Sequence, residues 1–240
     1  MNTIQEIEAA LSAIPGGAVL DVATGGGSMI EWGQEALGSA ASFTGIDAVP
    51  LANRAANWRE GIFGQDGVQF VQMDAHRMGF PIHSFDTVTI GHSLHHMANP
   101  QQVLAEIRRV LRPGGHLFLF EMYRDNQAPT QLSHVHLHHW WASIDRALGV
   151  THNETFTRQG LLDLAADWQI VQQFDYADLS GDPLVPEQLE VLHNRAAHYL
   201  ERAQDLPQRD EFQAQVEPLL AQLDEIGIHS ATTLALVARA

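Results

Sequence analysis

The sequence predicts a doubly wound α/β fold: a seven-stranded, mostly parallel sheet with helices on both faces and a helical insertion before the last strand. Three observations predict it. Short apolar runs of strand type recur between longer amphipathic stretches, the pattern of βαβ units in which each strand is buried on both faces. The first of these runs opens into a glycine-rich turn with a helical stretch behind it, VLDVATGGGS (19–28). The sixth and seventh runs are separated by two long helical stretches with no strand between them.

The chain opens with Ile4, Ile7, Leu11 and Ile14 at spacings of three and four, a helix that Pro15-Gly16-Gly17 ends. Residues 18–23 are a buried strand, a helical stretch runs through about Leu37, and 41–48 form the second strand. Residues 50–60 read as helix, 67–75 as the third strand and 85–92 as the fourth. A helix from Pro100 to Leu111 carries Val103, Leu104, Ile107, Val110 and Leu111 on one face, and Pro113-Gly114-Gly115 is the turn into a fifth strand at 116–122. Residues 131–149 and 158–167 are helical and 168–176 the sixth strand. Helices at 186–204 and 209–226 then precede the last strand, 232–240. The Ser-, Gly-, Asp- and Pro-rich stretch Asp178–Pro186 opens the insertion, taken as 180–229.

Composition narrows the chemistry. Among 240 residues there are 13 cations against 29 acids, a net charge of −16, and every cation is arginine. There is no cysteine. A Schiff-base or phosphate-binding lysine, a thiol nucleophile, a disulfide and a thiolate-held metal are therefore excluded. So acidic a surface disfavours nucleic acid and anionic membranes as partners. No apolar stretch reaches the length of a membrane span. The N-terminal segment lacks the early cations of a signal peptide, so a cytoplasmic location is expected.

The glycine turn lets backbone N–H groups approach a ligand with the positive end of a helix behind them. Twenty residues past Gly27 stands Asp47, at the end of the second strand, where a carboxylate can accept from ribose hydroxyls. A nicotinamide dinucleotide site needs a third glycine where this chain has Ile30.

The order of pieces over about residues 15–122 resembles the class I S-adenosylmethionine-dependent methyltransferases. They are the glycine turn, the acid after strand two, Asp74-Ala75, Phe80-Pro81 with Ser84-Phe85-Asp86, Leu94-His95-His96, and Arg109-Val110-Leu111-Arg112-Pro113-Gly114-Gly115. The nearest branch is that of the ubiquinone/menaquinone-biosynthesis methyltransferases. The resemblance implies a Rossmann-like fold with S-adenosylmethionine as cofactor and S-adenosylhomocysteine as product. The chain is read as a single domain, 1–240, with a cofactor-binding half at 1–122 and a lid helix and sixth strand at 123–179; the family's pattern breaks after strand five, with the insertion at 180–229 and the last strand at 230–240. Gly25 and Gly27 match the glycines that let the methionine moiety cross the turn, and Ala23 replaces the first glycine of the pattern. Asp21 would orient the loop through backbone hydrogen bonds. Asp47, with Ala48, would hold the ribose. Asp74 would accept from the adenine amino group and Ala75 N–H would donate to a ring nitrogen. Gly91 and His92 would face the methionine end and the sulfonium.

Fourteen histidines raise the question of a metal. In the run His134, His136, His138, His139, a helix places 134, 138 and 141 on one face while 136 and 139 point elsewhere, and no acid lies between Gln131 and Trp141. That run does not converge on one ion, so it is read as a pocket wall or helix surface and no metal site is expected. Histidine suits removal of a proton from an acceptor. His92, His95, His96 and the 134–141 segment fall where the family's acceptor pocket lies, with His95 and His92 the first candidates for the base. Trp140, Trp141 and Tyr123 either line a flat apolar acceptor or are core. The helices of the insertion either cap that pocket, form a homodimer face or pack beside the sheet. The expected activity is methyl transfer to a small-molecule acceptor. A non-catalytic S-adenosylmethionine-binding protein and a nicotinamide-dependent oxidoreductase are the alternatives.

Overall fold

The computed structural model describes residues 2–37, 40–50 and 61–240, without the side chains of 40 and 41. The helix expected at 50–60 falls almost wholly outside the described residues. Seven strands form one sheet: β1 (Gly17–Val22), β2 (Ala40–Asp47), β3 (Val68–Gln72), β4 (Phe85–Gly91), β5 (Leu111–Met122), β6 (Gln169–Tyr176) and β7 (Thr233–Arg239). Their order is β3-β2-β1-β4-β5-β7-β6. Strands β1 to β5 pair in parallel, while β7 runs antiparallel between β5 and β6. The chain reverses its direction of travel across the sheet at β1 and β4, and such a switch point opens a crevice at the carboxyl ends of the strands.

Alternation along the strands builds two cores. Val19 and Phe118 face α1 (Ile4–Ser12) and α2 (Ser28–Ala36), whose Ile7, Leu11 and Ile30 are buried beside them. Leu20, Leu117 and Leu119 face the other way, onto Val103 and Ile107 of α3 (Pro100–Val110) and Leu161 of α5 (Arg158–Leu164). Ile30, where a dinucleotide fold wants glycine, is fully buried in the first core. Thr3 and Glu6 close a capping box on α1, and Asn99 caps α3 with Pro100 behind it.

A third apolar cluster lies apart from the sheet. It joins α4 (Pro129–Ala147) to α6 (Pro186–Arg202) and α7 (Arg209–Ile226) through Leu137, Trp140, Ile144, Ala196, Phe212, Val216 and Leu223. Trp140 Nε1 donates to the Phe212 carbonyl at 3.0 Å. The apolar stripes of the insertion pack on α4 within the chain.

One boundary differs from expectation. The helix ends at Val110 because Leu111 turns extended, and β5 already pairs with β4 at Leu111, five residues before the expected start. Pro113-Gly114-Gly115 is a bulge inside the strand, with Gly114 at φ +76°.

Asp86 shows why the start of β1 needs glycine. Its carboxylate accepts from Ala18 N–H at 2.8 Å and from the Arg112 guanidinium. A Cβ on Gly17, at φ +56°, would lie 2.2 Å from Asp86 Oδ2. Gly17→Ala should therefore lose about 2–4 kcal/mol of stability in urea unfolding, combining backbone strain with a displaced, part-buried acceptor. A loss under about 0.5 kcal/mol, the scatter of an ordinary surface change, would contradict this account.

Candidate active site

The glycine turn leaves β1 at the switch point. Ala23 takes φ +54°, Gly25 +49° and Gly27 +80°, so three residues of the turn occupy the left-handed region. Ala23 holds there a conformation that glycine adopts without strain, which is the physical content of the family's glycine at that position. Thr24 N–H donates to the Ile46 carbonyl at 2.9 Å and Gly27 N–H to that of Thr24 at 2.7 Å. At Gly27 a Cβ would meet Ile62 at 2.7 Å, and at Gly91 it would meet Met29 Sδ at 2.6 Å, so both must stay bare.

Two carboxylates support the turn. Asp47 accepts from Gly25 N–H at 3.0 Å and from Val49 N–H at 2.9 Å, fixing the turn to the end of β2. Asp21, 1% exposed, accepts from Thr89 Oγ1 at 2.8 Å across the β1–β4 pair. This corrects the expectation that it bonds backbone groups. Burial pushes its pKa up to about 6 against the opposing pull of the Thr24 and Thr89 hydroxyls. Its Oδ2 has no hydrogen-bond partner. A buried, unpartnered carboxylate oxygen beside a bare glycine turn at a helix N-terminus fits a ligand with a cationic end, as the methionine moiety of S-adenosylmethionine has.

Past β3, Asp74 is exposed and its Oδ1 is already engaged. It accepts from His76 N–H at 2.9 Å and from His76 Nδ1 at 2.8 Å. The His76 N–H and ring, ahead of other influences, hold its pKa below the usual carboxylate value. His76 Nε2 accepts from Asn99 N–H at 3.2 Å, which ties Asp74 to the start of α3. Ala75 is buried behind it.

Beside the end of β4 lies a cavity of about 660 Å³. His92, His95, His96, His134 and His138 line it, with Phe120, Tyr176, Asp178, Asp182 and Val185. The insertion therefore does cap the pocket: Val185 and Gln188 stand on one side, while His229 bridges the Thr130 hydroxyl and the Gly181 carbonyl on the other. Trp140, Trp141 and Tyr123 do not line this cavity. They are buried core, and Phe120 and Tyr176 supply its aromatic surface instead.

The histidines divide by what they touch. His92 stands at φ +47°, its ring edge-on to Phe120 at 5.0 Å. Solvent reaches it from the cavity, while the surrounding protein and then the charge of His95 lower its pKa. His95 is 1% exposed and its Nδ1 lies 2.9 Å from Glu121 Oε1, while Glu121 Oε2 accepts from Leu94 N–H at 2.8 Å. Burial pushes the Glu121 carboxyl up, but His95, the charge of His92 and the Leu94 N–H together hold it below its ordinary value. His134 Nδ1 accepts from Ala231 N–H at 2.9 Å and His139 Nε2 from Thr155 N–H at 3.2 Å, so these two stitch loops to α4. Burial first, then neighbouring imidazoles, bring His138 down to about 2 and His96 to about 4. His136 is exposed.

Sequence reasoning missed His152. Its Nδ1 lies 2.8 Å from Asp145 Oδ2 and its Nε2 3.3 Å from His138 Nε2. With His95, His96 and His138 it forms a cluster whose ring nitrogens lie within 4.8 Å of one another. The expectation of no metal site considered one helix alone, and three of these four residues lie outside that helix. The signal was the i, i+7 pairing of Asp145 with His152 across the end of α4, too weak to single out by itself.

This sheet order, with a bare glycine turn at the switch point and a half-open cavity beside it, is the arrangement expected of a class I S-adenosylmethionine-dependent methyltransferase. A methyltransferase domain model matches residues 20–119. A putative methyltransferase from Bacillus halodurans superposes with a TM-score of 0.65, 19% identity and 99% of both chains covered. The chain is 26% identical over 192 residues to a 2-phytyl-1,4-naphthoquinone methyltransferase of Synechocystis, covering 77% of this chain and 73% of that one. It is 34% identical over 120 residues to a demethylmenaquinone methyltransferase of Renibacterium salmoninarum, where the match spans 50% of this chain and 47% of the relative. A ubiquinone/menaquinone biosynthesis C-methyltransferase of Hahella chejuensis matches at 34% over 108 residues and 43% of its length. The chain thus spans just under half of those last two relatives. Residues 20–119 thus carry a methyltransferase domain, and the chain resembles the S-adenosylmethionine-dependent quinone methyltransferases.

The turn makes two measurable demands. Because burial raises the Asp21 pKa above its unfolded value, the folded state gains from the protonated carboxyl; that gain is present below about pH 4 and lost as pH rises through about 6. Asp21→Asn should accordingly stabilise the ligand-free protein more at pH 8 than at pH 4, with a difference of up to about 2–3 kcal/mol; thermal melts showing no pH-dependent difference would contradict it. Asp47→Ala frees the Gly25 N–H and removes the carboxylate at the end of β2. Affinity for S-adenosylhomocysteine by calorimetry should fall by about 1.5–3 kcal/mol, and an unchanged Kd would confine Asp47 to a structural role.

Proposed function

We propose that the protein transfers a methyl group to a neutral, aromatic, hydroxyl-bearing small molecule of the quinol or phenol type, seated in the histidine-lined cavity. The observation that carries this reading is the cavity itself: it adjoins Gly91 and His92 at the carboxyl end of β4, the place of the reacting end of the cofactor in this fold. Among the described residues no arginine lines it, and Asp178 and Asp182 stand in its wall, so an anionic acceptor is repelled. Phe120 and Tyr176 offer flat apolar surface, and the names of the quinone methyltransferase relatives agree with such an acceptor. Neither a nicotinamide oxidoreductase nor a non-catalytic binding protein is favoured by those relatives.

When bound, S-adenosylmethionine supplies an electrophilic methyl group on a sulfonium. Gly25, Gly27 and Asp21 would hold its methionine end, Asp47 and Ala48 the ribose, and Asp74 and Ala75 the adenine. Val185, Gln188 and His229 wall the cavity and restrict the approach of the acceptor. His92 is the residue we assign as proton acceptor: it is open to the cavity, next to Gly91, and neutral at pH 7. His95, the other candidate, is sealed by Glu121 and positions the turn after β4.

The test is transfer of labelled methyl from S-adenosylmethionine to a panel of reduced naphthoquinones, phenols and carboxylated phenols. Label in the neutral members and little in the carboxylated ones supports the reading; preference for the anions, or no transfer to any member, overturns it. His92→Ala should lower kcat by about 10²–10⁴-fold with little change in cofactor affinity. Since burial lowers the His92 pKa, the acid limb of the wild-type rate should fall below the ordinary imidazole value near 6.5. A variant of near-full kcat would remove His92 from the chemistry.

A further inference from the structure

His95, His96, His138 and His152 come from separate parts of the chain: the short helical turn after β4, the middle of α4, and the loop before α5. His95, His138 and His152 are buried, and His96 opens into the cavity. Ring centroids stand 4.2 Å apart for His96 and His152 and 4.8 Å for His138 and His152.

Two of the four are held from behind. Glu121 holds His95 through Nδ1, and Asp145 holds His152 through Nδ1. Each carboxylate engages Nδ1, which leaves Nε2 as the ring nitrogen able to ligate an ion. Both carboxylates are themselves anchored. Glu121 takes the Leu94 N–H, and Asp145 takes Arg202 Nη2 at 2.7 Å and the Tyr199 hydroxyl at 3.2 Å. A carboxylate behind each of two converging imidazoles is the arrangement that orients histidines on a metal. The loop carrying His152 is sewn to the turn carrying His95 and His96, since Asn153 N–H donates to the His95 carbonyl at 2.8 Å and Asn153 Nδ2 to that of Met97 at 3.1 Å.

Tetrahedral zinc, with Zn–N near 2.0–2.1 Å, spaces its ligand nitrogens about 3.3 Å apart. His152 Nε2 and His138 Nε2 are 3.3 Å apart. The donor set is imidazole alone in a chain with no cysteine, which suits zinc and its first-row neighbours rather than magnesium or calcium.

We propose that His95, His96, His138 and His152 bind one divalent transition-metal ion, zinc in the first instance, in the wall of the acceptor cavity. Glu121 and Asp145 orient two of the ligands. His95, His96 and His138 line the cavity, so the ion faces the acceptor and offers a hydroxyl or carbonyl oxygen a point of attachment. The ion-binding site itself does not rest on the methyl-transfer reading.

The experiment uses tag-free protein dialysed without chelator, analysed for metal and then titrated with Co²⁺ after chelator treatment. About one equivalent of zinc per chain is expected, displaced by Co²⁺ with the intense visible absorption of a four-coordinate site. His138→Ala and His152→Ala should lose the stoichiometric metal and that absorption, while His136→Ala, on the exposed face of the same helix, keeps both. Asp145→Asn should retain the absorption with metal affinity weakened about 10–100-fold. Calorimetry with S-adenosylhomocysteine on the same preparations separates loss of metal from loss of the cofactor site, and far-UV circular dichroism reports folding. Wild-type protein that retains no zinc and shows only the pale spectrum of aqueous Co²⁺ overturns the proposal, as does a folded His138→Ala variant that binds metal like wild type.

Discussion

The buried carboxylate of Glu121 joins the sheet to the pocket. It sits near the end of β5, 1% exposed, where an unpartnered charge would cost several kcal/mol. Its partners set the course of the backbone between β4 and α3. Leu94 N–H and His95 Nδ1 converge on it, so the chain leaving β4 must turn back across β5 before α3 begins. That turn puts His92 and His96 in the cavity wall and gives the His152 loop an edge to bond. Asp21 is the counterpart on the cofactor side, a second buried carboxylate that is incompletely satisfied.

Charge is distributed with the same logic. A net charge of −16 with no lysine makes a surface that repels anions at long range. The cavity adds to this selection by its own means: burial and mutual proximity lower the pKa of His92, His96, His134 and His138. It therefore presents neutral imidazoles, which can accept protons or ligate a metal.

Much of the fold was legible because strands buried on both faces read as short apolar runs. The glycine turn was legible because positive φ at Gly25 and Gly27 leaves few residues to choose from. The Pro113-Gly114-Gly115 bulge was not, since a turn and a bulge demand the same residues. The aromatic pair Trp140-Trp141 gave no hint of its side: helical spacing places residues on faces, and only the insertion, packing through Phe212, shows which face is core. The histidine cluster was hidden for a related reason. Its members belong to three segments that no local period connects, and His152 lies on a loop whose conformation depends on contacts with His95 and Met97. Resemblance to a family supplied the roles of Asp47 and Asp74, and the structure adds that each of these carboxylates already holds backbone N–H groups.

The central claim is that the glycine turn and the histidine-lined cavity are two halves of one reaction site meeting at Gly91 and His92. A crystal structure of the complex with S-adenosylhomocysteine tests it most directly. The account predicts the amino-acid end against Asp21 and the glycine turn, the ribose on Asp47, and the sulfur facing the cavity beside His92. Density placing the sulfur away from that cavity, or the nucleoside elsewhere on the sheet, would contradict it.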